Sequence, residues 1–215
     1  MKQASIPTCL FVDIGGVLLT DGWDHHSRER AAAHFKLDWA EMEERHQINF
    51  AVYEEGKMTL EEYLGRVVFY QQRAFTQAEF RDFMFAQSKP YSEMIALIAK
   101  LKIRHRLKIA VVSNEARELN AYRIEKFKLG AFVDFFISSC FVHTRKPDLE
   151  IFRLAVDIAQ VPVGQIIYIE NTAMFVEIAQ GLGIRSIVHT DYKSTRAQLS
   201  AFGLPDSETT NHESN

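Results

Sequence analysis

The chain has 215 residues, 47% of them hydrophobic and 25% charged, a balance that fits a soluble globular protein with a sizeable core. Its net charge of −3 and isoelectric point near 6.2 give no electrostatic case for nucleic acid or an anionic membrane as a partner. Two cysteines, Cys9 and Cys140, sit in apolar, strand-like surroundings and read as buried thiols of a reducing compartment, not as a disulfide framework.

The residues ahead of the first apolar run are too few for a signal-peptide core or a membrane span, so a cytoplasmic location is expected. Residues 9–12 have the apolar character of a short buried strand and deliver Asp13 into the pair Gly15 and Gly16, which allow a tight turn and remove the Cβ atoms that would keep a bulky anion from the backbone. Residues 21–88 then read as helical, with apolar residues at helical spacing over 28–37, 39–50, 59–70 and 76–86. Thr59 and Glu62 stand in capping-box positions.

A helix over 92–105 leads into a second buried strand over 107–112, which ends on Ser113 and Asn114; a helix-like stretch follows over 116–128. A further strand is expected over 133–137. Lys146 then precedes a helix start, with Pro147 suited to the first turn and Asp148 to the helix dipole. A strand from residue 165 ends on Glu170 and Asn171 before a helix over 173–180, and Gly181 to Gly183 cap that helix ahead of a last strand over 184–188. Alternating strands and helices imply a doubly wound α/β fold with a parallel sheet and right-handed crossovers. Residues 205–215 are polar and read as a flexible tail.

Four strand or loop ends thus supply convergent polar groups in a fixed order: Asp13, then Ser113-Asn114, then Lys146-Pro147-Asp148, then Glu170-Asn171. That order resembles the haloacid dehalogenase superfamily of aspartate-nucleophile hydrolases over nearly the whole chain. The resemblance implies a Rossmann-like core over 1–20 and 89–204 with an inserted helical cap over 21–88. It also implies a magnesium-dependent phosphatase that turns over a small phosphorylated metabolite through an aspartyl-phosphate. Asp13 matches the nucleophile, and Lys146 the fixed positive charge. Ser113 matches the hydroxyl that binds a phosphoryl oxygen, with Asn114 and Gly16 adding phosphate contacts. Magnesium would be held by Asp13, the Gly15 carbonyl, and the Glu170-Asn171 pair.

The chain departs from that pattern twice. Many family phosphatases carry a second Asp two residues after the nucleophile as general acid, where this chain has Gly15 and so loses a proton donor. Glu170-Asn171 replaces a pair of Asp residues, which implies weaker magnesium binding. Two other readings therefore stay open: a 2-haloacid dehalogenase, which needs neither the second acid nor magnesium, and a degraded member that keeps the fold for binding or regulation. His25, His26, Arg28 and Arg30 read as solvated helix residues more readily than as ligands. Arg145 is a candidate auxiliary anion contact, and Trp23, Trp39 and Phe69 read as cap core. Oligomeric state is not legible.

Overall fold

A computed structural model describes residues 5–207. Five parallel strands form one sheet in the order β3-β2-β1-β4-β5, with β1 at Cys9–Val12, β2 at Lys108–Ser113, β3 at Phe135–Ser138, β4 at Ile166–Glu170 and β5 at Arg185–Val188. Every residue of β1 and β4 is buried, as expected of strands covered on both faces. The chain leaves β1 for β2 and β3 on one side and returns to β4 and β5 on the other. The carboxyl end of β1 is therefore the point where strand order reverses, and ligands of open α/β sheets collect there.

One face of the sheet packs through Leu10, Val12, Ile109, Val111 and Ile169 onto the helix α5 (Ser92–His105) and onto α10 (Tyr192–Ala201). The opposite face packs through Phe11, Val112 and Tyr168 onto α8 (Leu149–Ala159) and α9 (Ala173–Gly181). The period-2 alternation of β1 sends Leu10 and Val12 to one layer and Cys9 and Phe11 to the other.

The segment between β1 and α5 folds into four helices, α1 (His25–Phe35), α2 (Trp39–Glu54), α3 (Leu60–Val67) and α4 (Gln77–Ala86). Asp24, Asp38, Thr59 and Thr76 cap them, and both Thr59-Glu62 and Thr76-Glu79 close full capping boxes. These helices share their own apolar cluster, built on Tyr63, Leu64, Phe80 and Met84, and it extends to Ala116 and Leu119 at the start of α6 (Arg117–Lys126). Gly56, at φ +66°, lies so close to the short helix α7 (Ser139–Val142) that a Cβ there would come within 2.3 Å of the Cys140 carbonyl oxygen. The Ser139 hydroxyl donates to the Glu54 carbonyl at 2.7 Å beside it. The helical insertion is thus seated against the carboxyl-terminal side of the sheet, above Asp13.

Several local expectations change. Pro147 is not in a first helical turn: Lys146-Pro147 is a cis peptide, Asp148 is the N-cap that accepts from the Glu150 N–H, and α8 begins at Leu149. Cys140 is buried and free, but on α7 and not in a strand. Pro205 and Asp206 are fixed, not frayed, because the Pro205 carbonyl binds His105 at 2.8 Å and Asp206 pairs with Arg196 at 2.8 Å. The rest of the expected tail, from 208, lies outside the described residues. Among the described residues no helix is long and apolar enough to cross a membrane.

Candidate active site

Asp13 directly follows the central strand, its N–H bound to the Ile169 carbonyl at 3.0 Å, which fixes where the carboxylate emerges. Lys146 reaches it from the loop before α8, with Nζ 3.2 Å from Asp13 Oδ1 and 2.6 Å from Glu170 Oε2. Tyr168 and Glu170 lie two residues apart on β4, so both side chains leave one face of the strand. The Tyr168 hydroxyl is 3.1 Å from Lys146 Nζ and donates a short hydrogen bond to Glu170 Oε2. The Thr172 N–H donates to Glu170 Oε1 at 2.9 Å. Both Glu170 oxygens are therefore engaged, and Lys146 is clamped between two carboxylates.

The charges decide how these groups titrate. Burial pushes the Asp13 carboxyl up to about 7, Glu170 adds to the rise, and Lys146 and the Ser113 hydroxyl only partly oppose it. Burial works against the Lys146 ammonium, but Asp13 and Glu170 outweigh it and raise its pKa, so the lysine stays charged. When both carboxylates are ionised, the buried cluster with its one ammonium carries one surplus negative charge.

The sequence-selected residues divide by role. Ser113 ends β2, is buried, and faces Asp13. The Asn114 side chain does not face the cavity as a free donor: it holds the lysine loop, donating to the Lys146 carbonyl at 2.9 Å and accepting from the Lys146 N–H at 2.8 Å. Gly16 is occupied too, because its N–H donates to the Leu19 carbonyl at 2.8 Å. Its φ of +70° and the Asn171 amide against it leave no room for a side chain, and a Cβ would stand 1.9 Å from Asn171 Nδ2. Gly16→Ala is expected to destabilise the fold by more than the roughly 1–2 kcal/mol that a left-handed residue costs, and to displace Asn171. A urea titration of the variant against wild type measures this.

A cavity of about 430 Å³ opens over Asp13, walled by the strand ends below and by the helical insertion above. Its lining includes residues the sequence did not single out. Glu115 and Arg123 form a buried pair at 2.8 Å, and Arg123 also donates to the Thr20 carbonyl at 2.6 Å. From α2 come His46, Tyr53 and Glu54. Burial, with Arg28 adding, drives the His46 ring down to about 3, so it is neutral, with Nδ1 2.8 Å from the Tyr63 hydroxyl. Arg28 is not a solvated helix charge: it is buried, with Nε and Nη2 each 2.7 Å from Glu43. Arg145 pairs with Glu54 at 2.8 Å. His25 and His26 are exposed, as expected, and Trp23 both packs on the insertion's apolar cluster and lines the cavity.

As to a metal, buried Asp13 Oδ1 has the Lys146 ammonium 3.2 Å away as its ion-pair partner but no well-aligned hydrogen bond, and among the described residues no donor reaches the Gly15 carbonyl. Those two oxygens, beside a surplus negative charge, fit a hard cation. Glu170 is less suited, since Lys146, Tyr168 and Thr172 hold its oxygens. Among the described residues no three His, Cys, Asp or Glu side chains form a ready-made metal cluster.

A family model for haloacid dehalogenase-like hydrolases matches residues 7–183. The chain belongs to this family. The family match covers all four polar strand and loop ends and the whole helical insertion between the first two of them. Among solved structures, this hydrolase is similar to a HAD family enzyme of Bacteroides thetaiotaomicron, at 19% identity and TM-score 0.74, over 92% of this chain and 99% of that one. The wild-type form of that enzyme in complex with magnesium and inorganic phosphate aligns at 20% identity and TM-score 0.71, over 86% and 95%. An L-2-haloacid dehalogenase of Xanthobacter autotrophicus with chloropropionic acid covalently bound aligns at 14% identity and TM-score 0.58, over 93% and 84%. No curated protein matches the sequence.

Proposed function

We propose that this hydrolase is a magnesium-dependent phosphatase of a small phosphorylated metabolite, working through an aspartyl-phosphate on Asp13. The observation that carries the reading is Asp13, Lys146 and Ser113 together at the floor of a cavity rich in acidic groups, beyond the central strand. Ionised Asp13 attacks phosphorus, which splits hydrolysis into two displacements. An anion attacking an anionic ester is electrostatically opposed, so fixed positive charge and donors must face the transferring group. The Lys146 ammonium supplies one such charge. The Ser113 hydroxyl supplies a donor once substrate displaces its contact with Asp13.

One ammonium does not balance a dianionic ester here. Asp21, Asp24, Glu54 and Glu115 also line the cavity, while the guanidiniums of Arg28 and Arg123 are already paired with Glu43 and Glu115. A further cation is needed, and Asp13, the Gly15 carbonyl and the neighbouring Asn171 amide are the groups to hold it. Bound there, magnesium would supply Lewis-acid charge opposite the transferring phosphoryl group. With few formal charges in that set, binding is weak. The helices over 21–88 act as the cap, with His46, Tyr53 and Trp23 facing the leaving group.

Hydrolytic dehalogenation of a 2-haloacid by the same Asp13 is the second reading, favoured by the engagement of both Glu170 oxygens. Against it, neither cavity guanidinium is free to hold the haloacid carboxylate. A phosphate-release and halide-release screen of the purified protein, with and without magnesium, tests the proposal. Magnesium-dependent phosphate release is expected; halide release indifferent to magnesium would replace it with the second reading, and no turnover at all would leave a binding role.

Asn171→Asp adds an anionic oxygen against Gly16, in the lining of the cavity that Asp13 and Gly15 share. It is expected to lower the magnesium concentration for half-maximal phosphatase activity. Superimposable magnesium titrations of variant and wild type would remove Asn171 from the metal site.

A further inference from the structure

We propose that Asp21 is the proton donor to the leaving alcohol and then the base for the attacking water, taking the place of the side chain that Gly15 lacks. The inference rests on the phosphatase reading above. An alkoxide is a poor leaving group, so the site needs an acid at the side of the ester away from Asp13. The cavity offers few. Glu54 and Glu115 are held in ion pairs with Arg145 and Arg123, and Asp24 caps α1 by accepting from the Ser27 N–H. Lys146 is clamped by Asp13 and Glu170, and His46 is neutral with Nδ1 committed to Tyr63. Asp21 is the cavity carboxyl with neither an ion pair nor a hydrogen bond among the described residues.

Its position is specific. Asp21 Oδ1 lies 3.0 Å from where a Cβ on Gly15 would stand, so the carboxyl enters the space that a side chain at 15 would occupy. The loop that carries it is fixed on both sides. Thr20 donates its N–H to the Lys89 carbonyl at 2.9 Å and its hydroxyl to the Gln87 carbonyl at 3.1 Å, and its own carbonyl accepts from buried Arg123. Gly22 leaves the space through which that guanidinium passes, since a Cβ there would be 2.4 Å from Arg123 Nη1. Asp21 lines the cavity and is exposed, so solvent water has access to its carboxyl.

In the first step an Asp13 oxygen bonds to phosphorus and the bond from phosphorus to the alcohol oxygen breaks. The electron pair stays on that oxygen, which takes the proton of Asp21. In the second step water oxygen bonds to phosphorus while Asp21 takes the water proton. The electron pair of the Asp13–phosphorus bond returns to Asp13, and phosphate leaves.

The test uses leaving groups of different need. With magnesium present, Asp21→Asn is expected to lower kcat/KM on glycerol 2-phosphate by about a hundred-fold or more. On p-nitrophenyl phosphate, whose phenolate departs without a proton, it should lose less than about tenfold. Moving the acid, as Gly15→Asp with Asp21→Gly, should restore turnover of glycerol 2-phosphate. Equal losses on both esters, wild type that cleaves only the aryl ester, or no restoration in a folded double variant would each overturn the proposal and leave the phosphatase reading intact. No phosphate from either ester with wild type would overturn both.

Discussion

Asp13→Asn is expected to abolish turnover, by about a thousand-fold or more, while the protein becomes more stable. The activity loss follows from chemistry: an amide in the same place cannot open the covalent route, and removing a nucleophile removes the function of the groups organised around it. The stability gain follows from the surplus charge. The Asp13 carboxyl titrates near 3.8 in an unfolded chain and near 7 in the fold, so the folded state holds the proton more tightly. Stability from this group is therefore present below pH 4 and is lost as pH rises through about 7. Asn carries no charge and removes that loss. In a chelating buffer at pH 8 the variant should gain on the order of 1 kcal/mol, roughly 2–4 °C in Tm for a chain of this size. A calorimetric scan at pH 5 and pH 8 checks the sign: the gap between variant and wild type should widen at the higher pH.

Lys146→Ala is expected to do the opposite to stability and the same to rate. It leaves Asp13 and Glu170 as neighbouring buried carboxylates without their shared cation, and breaking such a cluster costs about 3–5 kcal/mol. Turnover should fall by about a hundred-fold or more, since the charge opposite the transferring group is gone. The double variant Lys146→Ala with Glu170→Gln separates the effects, because it removes a stranded charge without restoring the ammonium. It should recover part of the stability, read by urea titration, and none of the rate. Unchanged kcat/KM in folded Lys146→Ala would remove the lysine from the mechanism.

The fold was legible where a single pattern governs the chain. The run Cys9 to Val12 is apolar throughout and bounded by polar residues, and β1 has those bounds; α5 likewise runs Ser92–His105 as its periodicity predicts. Thr59 and Glu62 announce their capping box by spacing alone. The four polar strand and loop ends converge because parallel strands all point their carboxyl ends one way, which topology ensures without any long-range detail.

What stayed hidden depends on partners far apart in sequence. Arg28 reads as a solvated helix charge until Glu43 is placed beside it, and Arg123 draws no notice until Glu115 is; burial of an arginine is decided by such a partner. Tyr168 did carry a signal: a phenol in an otherwise aliphatic buried strand, on the face of Glu170, needs a polar partner, and Lys146 and Glu170 supply it. The Gly15 and Gly16 pair read as an anion cradle, yet the Gly16 N–H closes a turn onto Leu19, and the glycine there makes room for Asn171. Spacing could not foresee that a carboxyl eight residues beyond Asp13 returns against Gly15.

The central claim is the covalent step on Asp13. The most direct measurement is mass analysis of peptides from protein quenched in acid during steady-state turnover of its best phosphate ester with magnesium. The account predicts the mass of one added phosphoryl group on the peptide that carries Asp13, and its disappearance in Asp13→Asn. Steady phosphate release with no such peptide, or with the phosphoryl group on another residue, would contradict it.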